Sequence, residues 1–237
     1  MLEKRSTEAE FTDQPNCDTK VADQAYSGMA VFNKLSGATT AVRKFVIAEA
    51  LAAPANRPFR VLDIGTGSCD IPLAISEWAR KHGIDIRITC LDYSPRACEI
   101  AREKIAKAGN PNVQVVQADI FTYEPDEPFD CAVGSFFFHH FTEEEILKIA
   151  IRLKTFVRRS LLINDLLRYC TTYAGGWVLT LPFPAELRHD VLVSIQRGFK
   201  VTELRHLFRK IPGVTVTSKR HRFFRVLATV RFEETSA

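Results

Sequence analysis

From residue 59 onward, short apolar runs alternate with stretches whose apolar positions recur at helical spacing. Runs at Arg60 to Ile64, Ile86 to Leu91, Val113 to Val116, Phe129 to Gly134 and Arg159 to Asn164 read as strands. Between them, Ile71, Leu73, Ala74 and Trp78 mark one side of a helix over Asp70 to His82. Ser94 caps a helix that starts at Pro95 and runs to about Lys107, and Thr142 with Glu145 forms a capping box for a helix to about Leu153. Such alternation predicts an α/β fold, a Rossmann-like, doubly wound, mostly parallel sheet with helices on both faces. After Asp165 the rhythm changes. Leu166 to His189 is long and aromatic, interrupted by Gly175-Gly176, Pro182 and Pro184, and reads as a helical insertion over the sheet edge, a lid of about 166–199. A helix near Val201 to Lys210 then leads to Val214 to Ser218 and Phe224 to Phe232. The basic turn Lys219 to Arg222 joins these two runs as a hairpin, which brings the sheet to seven strands with an antiparallel strand at its C-terminal end. Ahead of the sheet, Val21 to Leu35 has helical spacing with Gly37 as a C-cap, and Thr39 to Ala52 is a second helix; the pair either covers the ligand end of the first strand or packs on the sheet. Residues 1 to about 20 are polar and are expected to lack fixed structure of their own. The expected organisation is one domain, with 1–58 as tail and cap helices and 59–237 as the body.

Composition narrows this only slightly. With 237 residues, 46% hydrophobic and 25% charged, the chain has the make-up of a globular protein with a sizeable core, and its 17 Phe point to an aromatic interior or pocket. The net charge of +4 is mild, with basic residues split between Arg152 to Arg159 and Lys219 to Arg225, and neither requires nor excludes a nucleic-acid partner; none is expected, since no Asn-Pro-Pro-Tyr-like motif follows the fourth strand and no basic module is appended. Cys17, Cys69, Cys90, Cys98, Cys131 and Cys170 form no CxxC and have no ligand-like spacing to histidine. They read as reduced core residues, and no metal is expected. No run approaches a membrane span and the N-terminus has no apolar leader, so a cytoplasmic location is expected.

The chemistry gathers at Val61-Leu62-Asp63-Ile64-Gly65-Thr66-Gly67-Ser68-Cys69-Asp70. An apolar run ends in a carboxylate, breaks at glycines that admit positive φ and close ligand approach, and passes into a helix. A dinucleotide loop of the form GxGxxG would have glycine where Asp70 stands, and that carboxylate would face a bound pyrophosphate. This disfavours a nicotinamide-dependent reductase and suits a cationic or neutral nucleoside. Asp63, Asp92 and Asp119 follow three consecutive strands and should face one crevice. Asp92 stands at the distance from the glycines where an acidic residue accepts hydrogen bonds from ribose hydroxyls.

With these residues the sequence resembles the class I S-adenosylmethionine-dependent methyltransferases, in the flavour of the ubiquinone/menaquinone C-methyltransferases and other bacterial small-molecule enzymes. The resemblance covers residues 59 to 165, and the terminal hairpin fits the family's antiparallel last strand. It implies S-adenosylmethionine as cofactor and S-adenosylhomocysteine (SAH) as product. Gly65, Thr66 and Gly67 would touch the methionine part, Asp63 its amino group, Asp92 the ribose, Tyr93 the adenine face, Asp119 and Ile120 the adenine amino group, and Ser135 the reacting centre. Two positions depart from the family: Cys69 replaces its common third glycine, and Thr155 to Arg159 replaces its Pro-Gly-Gly turn.

Methyl transfer to a hydroxyl needs alignment and a proton acceptor. His140 or His139, after the fourth strand, could supply that base or orient the substrate, or could bond backbone at the strand end. Asp165, with Asn164, could bind a substrate hydroxyl or cap the following helix. His189 and Arg197 would enter from the lid or lie on the surface. The expected function is methylation, with O-methylation favoured, of a small, apolar, hydroxylated acceptor of phenolic or polyketide type. C-methylation of a quinone precursor and an inactive cofactor-binding scaffold are the alternatives, and a homodimer is allowed.

Overall fold

The computed structural model describes residues 2–10, 26, 28–30, 32–33, 37–221 and 224–233. Cys17 and most of the helix expected over residues 21–35 fall outside them. The described elements are α1 (Ala38–Leu51), β1 (Phe59–Ile64), α2 (Asp70–Lys81), β2 (Ile86–Asp92), α3 (Pro95–Ala108), β3 (Val113–Gln117) and β4 (Phe129–Ser135). A 3₁₀ turn (Phe138–His140) follows, then α4 (Glu143–Phe156), β5 (Val157–Leu166), α5 (Cys170–Leu179), α6 (Ala185–Arg197), α7 (Val201–Phe208), β6 (Val214–His221) and β7 (Arg225–Phe232).

The seven strands form one sheet in the order β3-β2-β1-β4-β5-β7-β6. β1 to β5 are parallel; β7 runs antiparallel between β5 and β6. The hairpin thus enters the sheet with its second strand inward. Its first strand is longer than expected, since Lys219 to His221 pair with β7 as strand instead of forming the turn. Side-chain alternation builds a core on each face: Leu62, Ile64, Leu161 and Ile163 pack under α4 and α7, and Val61, Ile88, Cys90 and Val133 pack with Val42 and Val46 of α1. α1 therefore packs on the sheet.

The capping signals work as the sequence predicts. The Ser94 hydroxyl accepts from the Ala97 amide at 3.3 Å with Pro95 in the first turn, and Thr142 and Glu145 form a reciprocal capping box. Where the family's glycine turn is missing, α4 ends at Phe156 and β5 starts at Val157, which takes extended backbone as the helix C-cap. Gly37, expected to end a helix, stands at the N-cap of α1 with φ 72°.

The insertion is helical, but its glycines do not interrupt it. Gly175 and Gly176 lie inside α5, and a Cβ on Gly176 would come within 2.5 Å of Ile195 Cδ1. Gly176 lets α6 approach closely, and Gly175 makes room for the Phe224 ring. Trp177, Val178, Leu179, Leu181 and Phe183 remain exposed instead of lining a lid, and α6 is the part of the insertion that meets the 3₁₀ turn after β4.

The N-terminal residues also differ from expectation. Residues 2–10 form a strap across the insertion side. Arg5 donates to the carbonyls of Arg197 (2.7 Å), His139 (3.0 Å) and Phe141 (2.8 Å) and stacks on Phe199. The Ser6 amide donates to the Gln196 carbonyl at 3.1 Å, and the buried Arg168 binds the Leu2 carbonyl and the Glu203 carboxylate. A polar segment without a core of its own is fixed by hydrogen bonds to carbonyls that the loops leave unpaired. Among the described residues, no helix is long and apolar enough to cross a membrane.

Candidate active site

The sheet order reverses between β1 and β4, and in open α/β sheets the crevice beyond the strand ends at such a point receives the ligand. The chain places the glycine loop on one side of it and Ser135 to His140 on the other.

Gly65 and Gly67 take φ of 65° and 53°, and Cys69, where the family has glycine, also takes a left-handed φ of 61°. A Cβ on Gly65 would be driven into the Phe137 ring, while the Tyr26 ring lies 3.7 Å from where one on Gly67 would stand. The loop is latched to β2: Asp92 Oδ2 accepts from the Gly67 amide at 2.9 Å and Oδ1 from the Ser94 amide at 2.9 Å. Burial raises the Asp92 pKa against these bonds. Asp63 is buried beside it, and burial, with the charge of Asp92 adding, pushes its pKa up to about 7. A cation arriving here would find two carboxylates short of countercharge. The buried Thr66 hydroxyl lies against Asp63 and lowers its pKa, against the larger effect of burial.

Asp119 stands at the end of β3 and closes its own turn. Its Oδ1 accepts from the Phe121 amide at 2.9 Å. Ile120 packs into the core, and Tyr93 is 75% exposed beside Asp92. Asp70 opens α2 and pairs with Lys104 at 2.7 Å, so that its carboxylate ties α2 to α3.

Beyond β4, His139 is buried between two carboxylates. Its Nδ1 lies 2.8 Å from Asp165 Oδ1 and its amide donates to Asp165 Oδ2 at 3.2 Å, while Nε2 faces Glu10 of the strap at 3.6 Å. Burial lowers the imidazole pKa, but the two carboxylates outweigh it and hold it at about 9; in turn His139 overcomes burial at Asp165 and draws it down to about 2. At neutral pH His139 is therefore a cation. The raised pKa contributes stability that is fully present below the unfolded value of 6.5 and is lost as pH rises through about 9. The melting temperature of the wild type should fall over that window, and His139→Gln should flatten the curve there.

Asp165, expected at the crevice as a base or hydroxyl binder, is fully buried behind His139, and its Oδ1 also accepts from the Leu166 amide at 2.7 Å. It positions His139 and does not itself face the crevice. Asn164 is likewise enclosed, with its Nδ2 donating to Ser135 Oγ at 3.0 Å. His140 is half-buried, its ring 4.2 Å from that of His139. Glu10, His139 and His140 offer ligand atoms within 4.8 Å of one another, but Arg197 Nη1, 3.8 Å from Glu10, already brings positive charge to that point.

Two participants, Glu10 and Arg225, escape a sequence reading, and Arg197 takes the inward one of its two expected places. Glu10 arrives from a segment with no periodic signal. Arg197 donates to the carbonyls of His139 (3.2 Å) and His140 (2.6 Å) and so fixes the turn that carries them; its side chain is 11% exposed, contrary to a surface role. Arg225, at the start of β7, is fully buried and reaches Asn164 and Ser135. His189 sits at the protein surface, 2.9 Å from Glu8 of the strap.

Residues 61–159 match the family model described as a methyltransferase domain. The chain carries a methyltransferase domain. Its glycine loop, Asp92, Asp119 and both histidines fall inside the matched span, whereas the strap, the insertion and Arg225 lie outside it. The whole chain shares its fold with the plantazolicin methyltransferase BpumL in complex with SAH, at TM-score 0.72 and 14% identity over 94% of this chain and 93% of that one. It also resembles the magnesium protoporphyrin IX methyltransferase ChlM of Synechocystis PCC 6803 with bound SAH (TM-score 0.59, 14% identity, 84% and 83% covered). A third match is the S-adenosylmethionine-dependent methyltransferase SibL (TM-score 0.61, 21% identity), where 97% of this chain covers 63% of that one.

Proposed function

We propose that this methyltransferase domain uses S-adenosylmethionine to methylate a hydroxyl of a small, largely apolar acceptor. The observation that carries the reading is the glycine loop at the sheet reversal, latched to Asp92 and facing a histidine turn across the crevice. The residues present fit the cofactor. Gly65 and Gly67 give the loop the left-handed turns that present its backbone amides, and Asp63 and Asp92 offer carboxylates to an ammonium and to ribose hydroxyls. Asp119, Ile120 and the exposed Tyr93 line the side where the adenine would lie. The cofactor supplies an electrophilic methyl group on a sulfonium.

The protein then has to orient the acceptor, exclude water and take up its proton. His139 is unsuited to the last task because its charge is locked between Asp165 and Glu10. That leaves His140 as proton acceptor, held in place by its backbone, whose carbonyl binds Arg197. The strap and α6 close the site from the insertion side and keep water from the histidine turn. O-methylation is favoured over C-methylation because a hydroxyl is the nucleophile whose proton such a histidine removes.

Calorimetry should show SAH binding to the wild type; no binding would sink the proposal. His140→Gln should lower kcat about 10²- to 10³-fold while SAH affinity stays within about twofold. Full turnover by that variant across the pH range would remove His140 from the chemistry.

A further inference from the structure

Arg225 stands apart from the groups that serve the cofactor. Its side chain is fully buried at the start of β7. Nε donates to Asn164 Oδ1 at 2.8 Å, and Nη2 donates to the Asn164 carbonyl at 3.1 Å and to Ser135 Oγ at 3.3 Å. Nη1 is buried and has no hydrogen-bond partner among the described residues. A guanidinium nitrogen enclosed without an acceptor costs free energy that the fold would not ordinarily leave uncompensated. Ser135 adds a second donor: its Oγ accepts from both Asn164 Nδ2 and Arg225, which leaves its own proton to give.

The surrounding charges point the same way. Among the described residues the carboxylate whose charge acts on Arg225 is Asp165, which also faces His139. Asp165 has its oxygens committed to His139 and Leu166. Burial brings the Arg225 pKa down to about 9, with only Asp165 opposing, as expected of a cation without a partner of its own. The Phe136 ring covers the guanidinium, 3.7 Å from its centroid, on a residue held at φ 54°. Rotation of that ring about its own side-chain bonds would uncover the arginine.

We propose that Arg225 and Ser135 form a carboxylate-binding subsite, so that the acceptor is an acid: an apolar molecule bearing a carboxylate as well as the methylated hydroxyl. The inference rests on the methyltransferase reading. Carboxylate is also present in the methionine part of the cofactor, but the glycine loop that would hold it belongs to β1, two strands removed from β5, whereas Arg225 lies on β7 against β5. The acceptor half of the crevice is the side that Arg225 serves.

The test uses benzoate and benzamide as probes, titrated into the full-length protein saturated with SAH. Benzoate should bind the wild type about 10-fold or more tightly than benzamide, a preference in the range of a charge-assisted hydrogen bond. Arg225→Met should abolish the preference, Arg225→Lys should restore part of it, and Ser135→Ala should weaken benzoate severalfold. Throughout, benzamide affinity should stay within about twofold, as should the SAH affinity of the two Arg225 variants. Circular dichroism checks each fold, and if Arg225→Met does not fold, Ser135→Ala decides. Equal binding of the two probes to the wild type, or a benzoate preference that survives both Met and Ala variants, overturns the proposal. So does a loss confined to SAH affinity, which would assign the arginine to the cofactor's carboxylate. Failure of the wild type to bind SAH would instead count against the methyltransferase reading, and the benzoate preference without SAH would still report on the subsite.

Discussion

Asp165→Ala should destabilise the protein by about 3–5 kcal/mol, the cost of stripping a buried ion pair of one member. Asp165 Oδ1 lies 2.8 Å from His139 Nδ1, both side chains are buried, and the same carboxylate is the countercharge for Arg225. Removing it leaves His139 with Glu10 alone, 3.6 Å away, and Arg225 with no anion at all. Urea unfolding monitored by circular dichroism measures the loss. In the double variant with His139→Gln, part of it should be recovered, because the uncompensated imidazolium is gone; strictly additive losses would show that the two side chains do not act as a pair.

Gly65→Ala should remove SAH binding altogether and destabilise the fold by about 2–4 kcal/mol, adding left-handed strain to overpacking. The residue sits at φ 65°, and the new Cβ would enter the Phe137 ring. Gly109→Ala is the control: its φ of 56° carries the same backbone strain, but nothing lies within 4 Å of the added Cβ. It should lose about 1 kcal/mol and keep full SAH affinity. If the two alanine variants bind SAH equally well, the glycine loop does not approach the ligand. Phe137→Ala in the Gly65→Ala background should return stability more than binding, since it makes space without restoring the loop's bare backbone.

How much of this was legible in the sequence follows from the range of each interaction. Ser94 with Pro95 and Thr142 with Glu145 are local, so their spacing alone locates the helix starts. The strand ends carrying Asp63, Asp92 and Asp119 are fixed by short alternating runs and by glycine turns, which are again local. The pairing of β7 between β5 and β6 depends on contacts some 60 residues apart, as in Asn164 with Leu227. No periodicity records it. For the same reason Arg225 read as one basic residue in a hairpin, and Asp165 as an exposed strand end. The Gly175-Gly176 pair misled because glycine marks both a break and a close approach, and only the neighbouring Ile195 distinguishes them. Arg197 resembled a surface residue because its acceptors are backbone carbonyls, which leave no trace in composition.

The strap has a consequence for the order of assembly. Arg5 hydrogen-bonds across 192 positions to the Arg197 carbonyl, and Arg168 reaches back 166 positions to Leu2. The strap precedes the whole sheet in sequence, yet its residues are among the last able to dock. They must wait until α6 and the loop to α7 have packed on the sheet, a closure of high sequence separation that folding reaches late. Glu10 meets His139 only then, so the charge pattern of the site is completed late in folding, by a segment that lies ahead of the sheet in sequence.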